Sequence, residues 1–309
     1  MTRAFLILAI LGLLSVTSCQ TYKRSFGTTY TSYKEAQNKT IYRLDLSYQN
    51  LTEAPDFLDK CEDLIMLNLS GNTALDIDAL FKKVSHPERL EILILDSLQL
   101  KKIPESISRF TSLKQLSINH NPTADFNQIF ETLVPLSLEF LNVQGNAITE
   151  LSPQIVQLHS LQSINLSHNS LAAGINYERL SQLPQLESLW LTSNNLGTLP
   201  PEIGLMSSLR NLYIEHNNLS ELPEEMAQLS KIWILHAGHN NFKELPIVFT
   251  KMKGLLLLHA NNNGIEKIPE NYAQDHYSLV GLVMNYNALS ETDIARWTKE
   301  FSGFFLASF

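Results

Sequence analysis

What constrains this chain most is a period. A recurring apolar pattern begins at Ile41, Leu64, Leu90, Leu113, Leu138, Leu161, Leu186, Leu209, Ile232, Leu255 and Leu279, in steps of 23 to 26 residues. The stretch LESLWLTSNNLGTLPPEIGLMSS, residues 186–208, states the unit most clearly. Its Leu186, Leu189 and Leu191 alternate as L-x-x-L-x-L, which predicts a short strand with one buried edge. Asn194 follows where the chain must leave the strand, and its amide can both donate to and accept from backbone groups that the bend leaves unpaired. At Leu199-Pro200 the proline fixes φ and removes a donor, so the return path is extended or loosely helical. Ile203 and Met206 then point back inward. A unit this small cannot bury its apolar edge alone, so copies must stack into a coil.

The brace position holds Asn72, Asn121, Asn146, Asn169, Asn194, Asn217, Asn240, Asn263 and Asn287, and only Gln49 and Leu98 depart. The eleven registers fill residues 41–289 and leave no room for another domain between them. The pattern L-x-x-L-x-L-x-x-N-x-L resembles the leucine-rich repeat family, and the L-x-x-L-P after the strand resembles its bacterial type. The resemblance covers about four fifths of the chain. It implies an α/β fold: a curved, horseshoe-like solenoid with a parallel β-sheet on the concave face and mixed short helices and extended segments on the convex face.

The second, fourth and sixth registers have longer return paths. These carry Ile77, Leu80, Phe81 and Val84; Phe126, Ile129, Phe130 and Leu133; and Ile175, Leu180 and Leu183. Spacings of three and four predict helices there. Elsewhere Pro104, Pro200, Pro223, Pro246 and Pro269 predict thinner, less regular connections. Residues 290–309 leave the pattern: Ser290 and Asp293 mark a helix start, Ile294, Trp297 and Phe301 follow at helical spacing, and Phe304 to Phe309 is apolar enough to lie along the last register. This segment is expected to cap the coil.

Arg3 precedes an apolar run of 11 residues, Ala4 to Leu14, too short to span a bilayer and suited to the core of a signal peptide. Val16-Thr17-Ser18-Cys19 resembles a bacterial lipobox. That resemblance implies that residues 1–18 are removed and that Cys19 becomes a lipidated N-terminus, whose two or more acyl chains hold the protein on a membrane without crossing it. An ordinary cleaved signal peptide with an incidental cysteine is the alternative. Gln20 stands where an aspartate would favour the inner membrane, so the expected location is the cell envelope, anchored at the outer membrane. Residues 19–32 are expected to form a tether, with neither strand nor helix period between Thr21 and Thr31. Residues 33–40 are expected to form an N-terminal cap. Cys61 occupies a position held in other registers by Met206, Leu229 or Met252, which predicts a buried thiol without chemistry.

The composition, 44% hydrophobic and 17% charged, is that of an ordered chain, and the formal net charge is -8. With no basic run longer than a pair such as Lys23-Arg24, a nucleic-acid partner is not expected, because phosphate binding needs a concentrated basic face. No serine or cysteine motif, phosphate loop or carboxylate pair stands outside the repeat context, so neither an enzyme nor a cofactor is expected.

Function is expected on the concave face, where side chains between the leucines point outward. Their central column reads Asp45, Asn68, Ile94, Ser117, Asn142, Asn165, Trp190, Tyr213, His236, His259 and Val283, and it changes character at Trp190. A neighbouring column carries His120, His168, His216 and His239, while Arg210 and Trp233 stand at strand entrances. Registers seven to ten thus gather Trp190, Arg210, Tyr213, His216, Trp233, His236, His239 and His259 as a candidate binding patch of the residue types that dominate interfaces. The alternative is a ladder of rings packed on one another along the sheet. Because no carboxylate or cysteine joins the histidines in these columns, no metal site is assigned. The expected function is recognition of another protein by a lipid-anchored chain. Binding of a glycan or peptidoglycan fragment, or service as an envelope assembly scaffold, are the alternatives.

Overall fold

The computed structural model describes residues 29–32 and 40–309. The described residues hold thirteen strands in one sheet, in chain order, every neighbouring pair parallel. They are β1 (Thr29–Tyr30), β2 (Arg43–Asp45), β3 (Met66–Asn68), β4 (Ile92–Ile94), β5 (Gln115–Ser117), β6 (Phe140–Asn142), β7 (Ser163–Asn165), β8 (Ser188–Trp190), β9 (Asn211–Tyr213), β10 (Ile234–His236), β11 (Leu257–His259), β12 (Gly281–Val283) and β13 (Leu306–Ser308). β2 to β12 fall one to each register of the pattern. In each the central residue is buried and the third is half-buried, as alternation requires.

The return paths follow their length and their prolines. The longer ones wind into α1 (Ile77–Lys83), α2 (Phe126–Leu133) and α3 (Gly174–Ser181). Asp76 and Asp125 cap the first two, each side chain accepting from a backbone N–H in the first turn. Where the path is shorter, a five-residue 3-10 helix replaces the α-helix at Asp56–Lys60, Glu105–Arg109, Pro153–Gln157, Pro201–Leu205 and Glu224–Gln228. The returns after Pro246 and Pro269 are more regular than expected: they wind into single α-helical turns, α4 (Val248–Lys251) and α5 (Asn271–Gln274). A proline just ahead of a helical turn breaks no bond within it.

Between sheet and returns runs one apolar core from Ile41 to Phe301. Cys61 belongs to it, a free and buried thiol pushed up to about 11 chiefly by burial. At the C-terminal end α6 (Glu291–Glu300) starts at Ser290, whose hydroxyl accepts from the Asp293 N–H, and lays Trp297 into the core, with Phe301, the residue that ends it, buried beside it. β13 then pairs with β12.

Asparagine ties the coil together. Asn217 donates to the carbonyls of Leu191, Ile214 and Glu215 and accepts from the N–H groups of Asn194 and Leu196 in the preceding register. Asn194 in turn accepts from Leu171 N–H, and Asn263 and Asn287 continue the relay. At Leu98 the relay is interrupted: its backbone N–H donates to Asn121, but its hydrocarbon returns nothing.

The expectation for the N-terminal segment needs correction. The segment predicted to lack strand character contributes β1, Thr29 opposite Arg43 and Tyr30 opposite Leu44; a two-residue strand is too short to show alternation. The signal peptide, Cys19, the tether up to residue 28 and the expected cap over 33–39 lie outside the described residues. Among the described residues no helix is long and apolar enough to cross a membrane.

Candidate concave binding face

Strand spacing builds this face. Neighbouring strands lie about 4.8 Å apart, so rings at equivalent positions are held at stacking distance. Trp190 of β8 lies on Tyr213 of β9 with centroids 4.9 Å apart and planes 6° from parallel. Tyr213 lies on His236 of β10 at 4.7 Å, and His236 on His259 of β11 at 4.3 Å. Four of the eight patch residues therefore form one continuous stack. The Phe140 ring of β6 closes its N-terminal end, edge-on to Trp190 at 6.2 Å. The ladder of rings named as the alternative is thus present, at the position of the expected patch.

His216 and His239 form a second, exposed stack at 4.0 Å. Their column has a backbone reason. Every residue in it, from Tyr48 through His120, His168, His216 and His239 to Tyr286, has φ between 53° and 76°. Histidine and asparagine tolerate the left-handed region better than most residues, and glycine best of all. Gly71 and Gly145 occur here where the rings of Tyr48 and His120 lie over the next register and leave no room for a Cβ.

Arg210 and Trp233 make a separate pair at the entrances of β9 and β10. The guanidinium carbon sits 4.4 Å from the Trp233 ring centroid, and Arg210 Nε is 3.1 Å from Glu187 Oε1.

Sequence reasoning missed Glu215. Its Oε1 lies 3.1 Å from His236 Nδ1 and its Oε2 takes a bond of 3.4 Å from the Thr192 hydroxyl. In the two columns of registers seven to ten no carboxylate accompanies the histidines, but Glu215 reaches His236 from the position between them. Glu215 stands two residues after Tyr213, so alternation puts both on one face; that signal was available. Burial pushes the Glu215 carboxyl up, but its bond to His236 and the charge there outweigh it and hold the group below its ordinary range. His259 is held low by burial and then by His236. Tyr213 is raised by burial and by Glu215. Among the described residues no group of three or more His, Cys, Asp or Glu is arranged to hold a metal ion. A groove of about 300 Å³ lined by Glu221, Glu244, Ile247 and Lys251 opens elsewhere, beyond the strands, and takes no part in the stacks.

Residues 141–275 match the family described as leucine-rich repeat region. A 27% identical relative is the flightless-1 homolog of Caenorhabditis elegans, matched over 54% of this chain and 15% of its own length. The chain thus spans a small part of that relative. Among solved structures, the TLR13–ssRNA13 complex superimposes with a TM-score of 0.65 at 21% identity, over 81% of this chain and 40% of that one. An internalin from Listeria monocytogenes does so with a TM-score of 0.55 at 18% identity, over 84% of this chain and 87% of that one. Repeat pattern, sheet and structural likeness agree: the chain is folded as a leucine-rich repeat solenoid.

Proposed function

We propose that this chain is a recognition protein that binds another protein across the concave face of registers seven to ten. The observation that carries this reading is the pre-formed row of Trp190, Tyr213, His236 and His259, with Arg210 and Trp233 beside it, on a rigid parallel sheet. Rings already held by their neighbours lose little freedom on binding, which favours them as anchors. The match to a leucine-rich repeat region supports this reading at the level of the repeat alone. The stack favours a protein over a glycan, because ring faces committed to one another are not free to lie on a sugar. Tyr213→Ala and Trp233→Ala are each expected to weaken a captured partner by about 2 kcal/mol or more, roughly 30-fold. Unchanged affinity in both variants removes the reading.

Anchoring belongs to the same proposal. The Val16-Thr17-Ser18-Cys19 motif supports lipidation at Cys19 and a place in the cell envelope, at the outer membrane. A fatty-acid probe should label the wild-type chain and not Cys19→Ala; equal labelling of both excludes this anchor.

A further inference from the structure

Stacking decides which part of each ring a partner meets. In the Trp190–Tyr213–His236–His259 stack the π faces are turned to one another, and what remains toward the concave space is the ring edge. An aromatic edge carries the positive part of the ring quadrupole. These edges also bear an indole N–H, a phenol hydroxyl and imidazole nitrogens. His216 and His239 add two more imidazoles in an exposed pair. Apart from the Glu215 carboxylate, which is taken up by His236, such edges attract acceptors and anions and offer little to a cation, which seeks a ring face.

Charge narrows the partner. The groups facing these histidines are Glu215 and Tyr213 on and after β9, with Arg210 and Glu187 paired at the strand entrances. Glu215 supplies a counter-charge for a proton on His236, at 3.1 Å. The remaining imidazoles are stacked against one another, His259 on His236 and His239 on His216. Carboxylates arriving from outside would supply the missing counter-charges. A long polyphosphate chain fits poorly, since it needs many permanently charged basic contacts and the face described above offers Arg210, already paired with Glu187. Side chains three or four residues apart on a helix have Cβ atoms roughly 5–6 Å apart, close to the strand step that separates the edges.

We propose that registers eight to ten bind an acidic helical segment of a partner protein, its carboxylates meeting the edges of the two histidine stacks, with binding coupled to proton uptake. This rests on the reading of the concave face as a protein-recognition surface.

The probes are a synthetic helical peptide with glutamates four residues apart, the same peptide with lysine in their place, and an oligouridine RNA, each titrated against the full chain. The glutamate peptide is expected to bind about tenfold more tightly near pH 5.5 than near pH 7.5, as imidazoles charge. Calorimetry in buffers of different ionisation heat should show protons taken up. His216→Asn and His239→Asn should each weaken the acidic binding and reduce the uptake; asparagine already occupies this left-handed position at Asn262. Circular dichroism establishes that both variants are folded, and Tyr48→Asn, at the far end of the same column, serves as a control expected to bind normally. Equal binding of the lysine peptide, pH-independent affinity, or tighter binding of the RNA overturns the proposal. If the acidic peptide fails while Tyr213→Ala still costs a captured protein its affinity, only this inference falls; if Tyr213→Ala costs nothing, the recognition reading falls with it.

Discussion

At the scale of single residues, the brace asparagines and the histidine stacks make opposite demands on polar groups. Asn217 has all of its amide hydrogen-bonding capacity in use inside the coil, so Asn217→Ala leaves buried backbone groups unpaired and is expected to cost about 3 kcal/mol in urea unfolding. A loss below about 1 kcal/mol would contradict the brace role. Tyr177 is the converse: its hydroxyl is buried on the convex side without a hydrogen-bond partner. Tyr177→Phe should therefore leave stability unchanged or raise it by about 1 kcal/mol. The concave groups add a pH dependence of definite sign. His259 and Glu215 both bind protons less readily folded than unfolded, so between folded and ordinary values the unfolded chain holds more protons and stability rises with pH. On acidification, stability should begin to fall as pH drops through 6.5, the ordinary histidine value, and fall further below 4.5, the ordinary glutamate value. His259→Gln should remove the first part of that loss in thermal melts.

At the scale of elements, the strands and the three longer helices were legible because their signals are local. Leu186, Leu189 and Leu191 alternate over a span one strand long, and Phe126, Ile129, Phe130 and Leu133 lie on one helical face. The two-residue β1 was not legible, because its pairing with Arg43 and Leu44 leaves no period in Thr29-Tyr30 itself. The site divides in the same way. The columns of Trp190, Tyr213, His236 and His259 follow from register arithmetic, whereas the His236–Glu215 contact depends on which neighbours two side chains choose across a strand gap. The left-handed backbone beneath His216 and His239 was hidden for another reason: histidine at a bend reads as easily as a ligand as it does as a conformational choice. The C-terminal element carries its own prediction. Ser290→Ala removes the cap of α6 and is expected to cost about 1 kcal/mol, while Trp297→Ala, which opens a cavity beside Phe301, is expected to cost about 4 kcal/mol. Similar losses for the two would mean that α6 does not cover the core.

At the scale of the whole molecule, each register touches chiefly its neighbours, so stability and recognition can be separated along the coil. Ion pairs between successive registers, such as Lys83 with Asp56 and Lys267 with Glu244, repeat the same nearest-neighbour logic on the surface; being exposed they contribute little each. Deleting residues 90–112 or residues 209–231 removes one complete register of equal length, and both shortened chains should remain folded. Only the second deletion takes away Tyr213, Glu215 and His216. A scaffold that depends on length would suffer from either deletion, whereas a concave recognition site should suffer from the second. The most direct measurement of that claim places a photo-crosslinking residue at Asn211, which shares its strand and face with Tyr213, and separately at Leu205 on the exposed convex return, in the chain expressed in its own cell. The concave position is expected to yield a discrete crosslinked protein that Trp233→Ala abolishes, and the convex position none. The same product from both positions, or from Leu205 alone, would contradict recognition through the concave face.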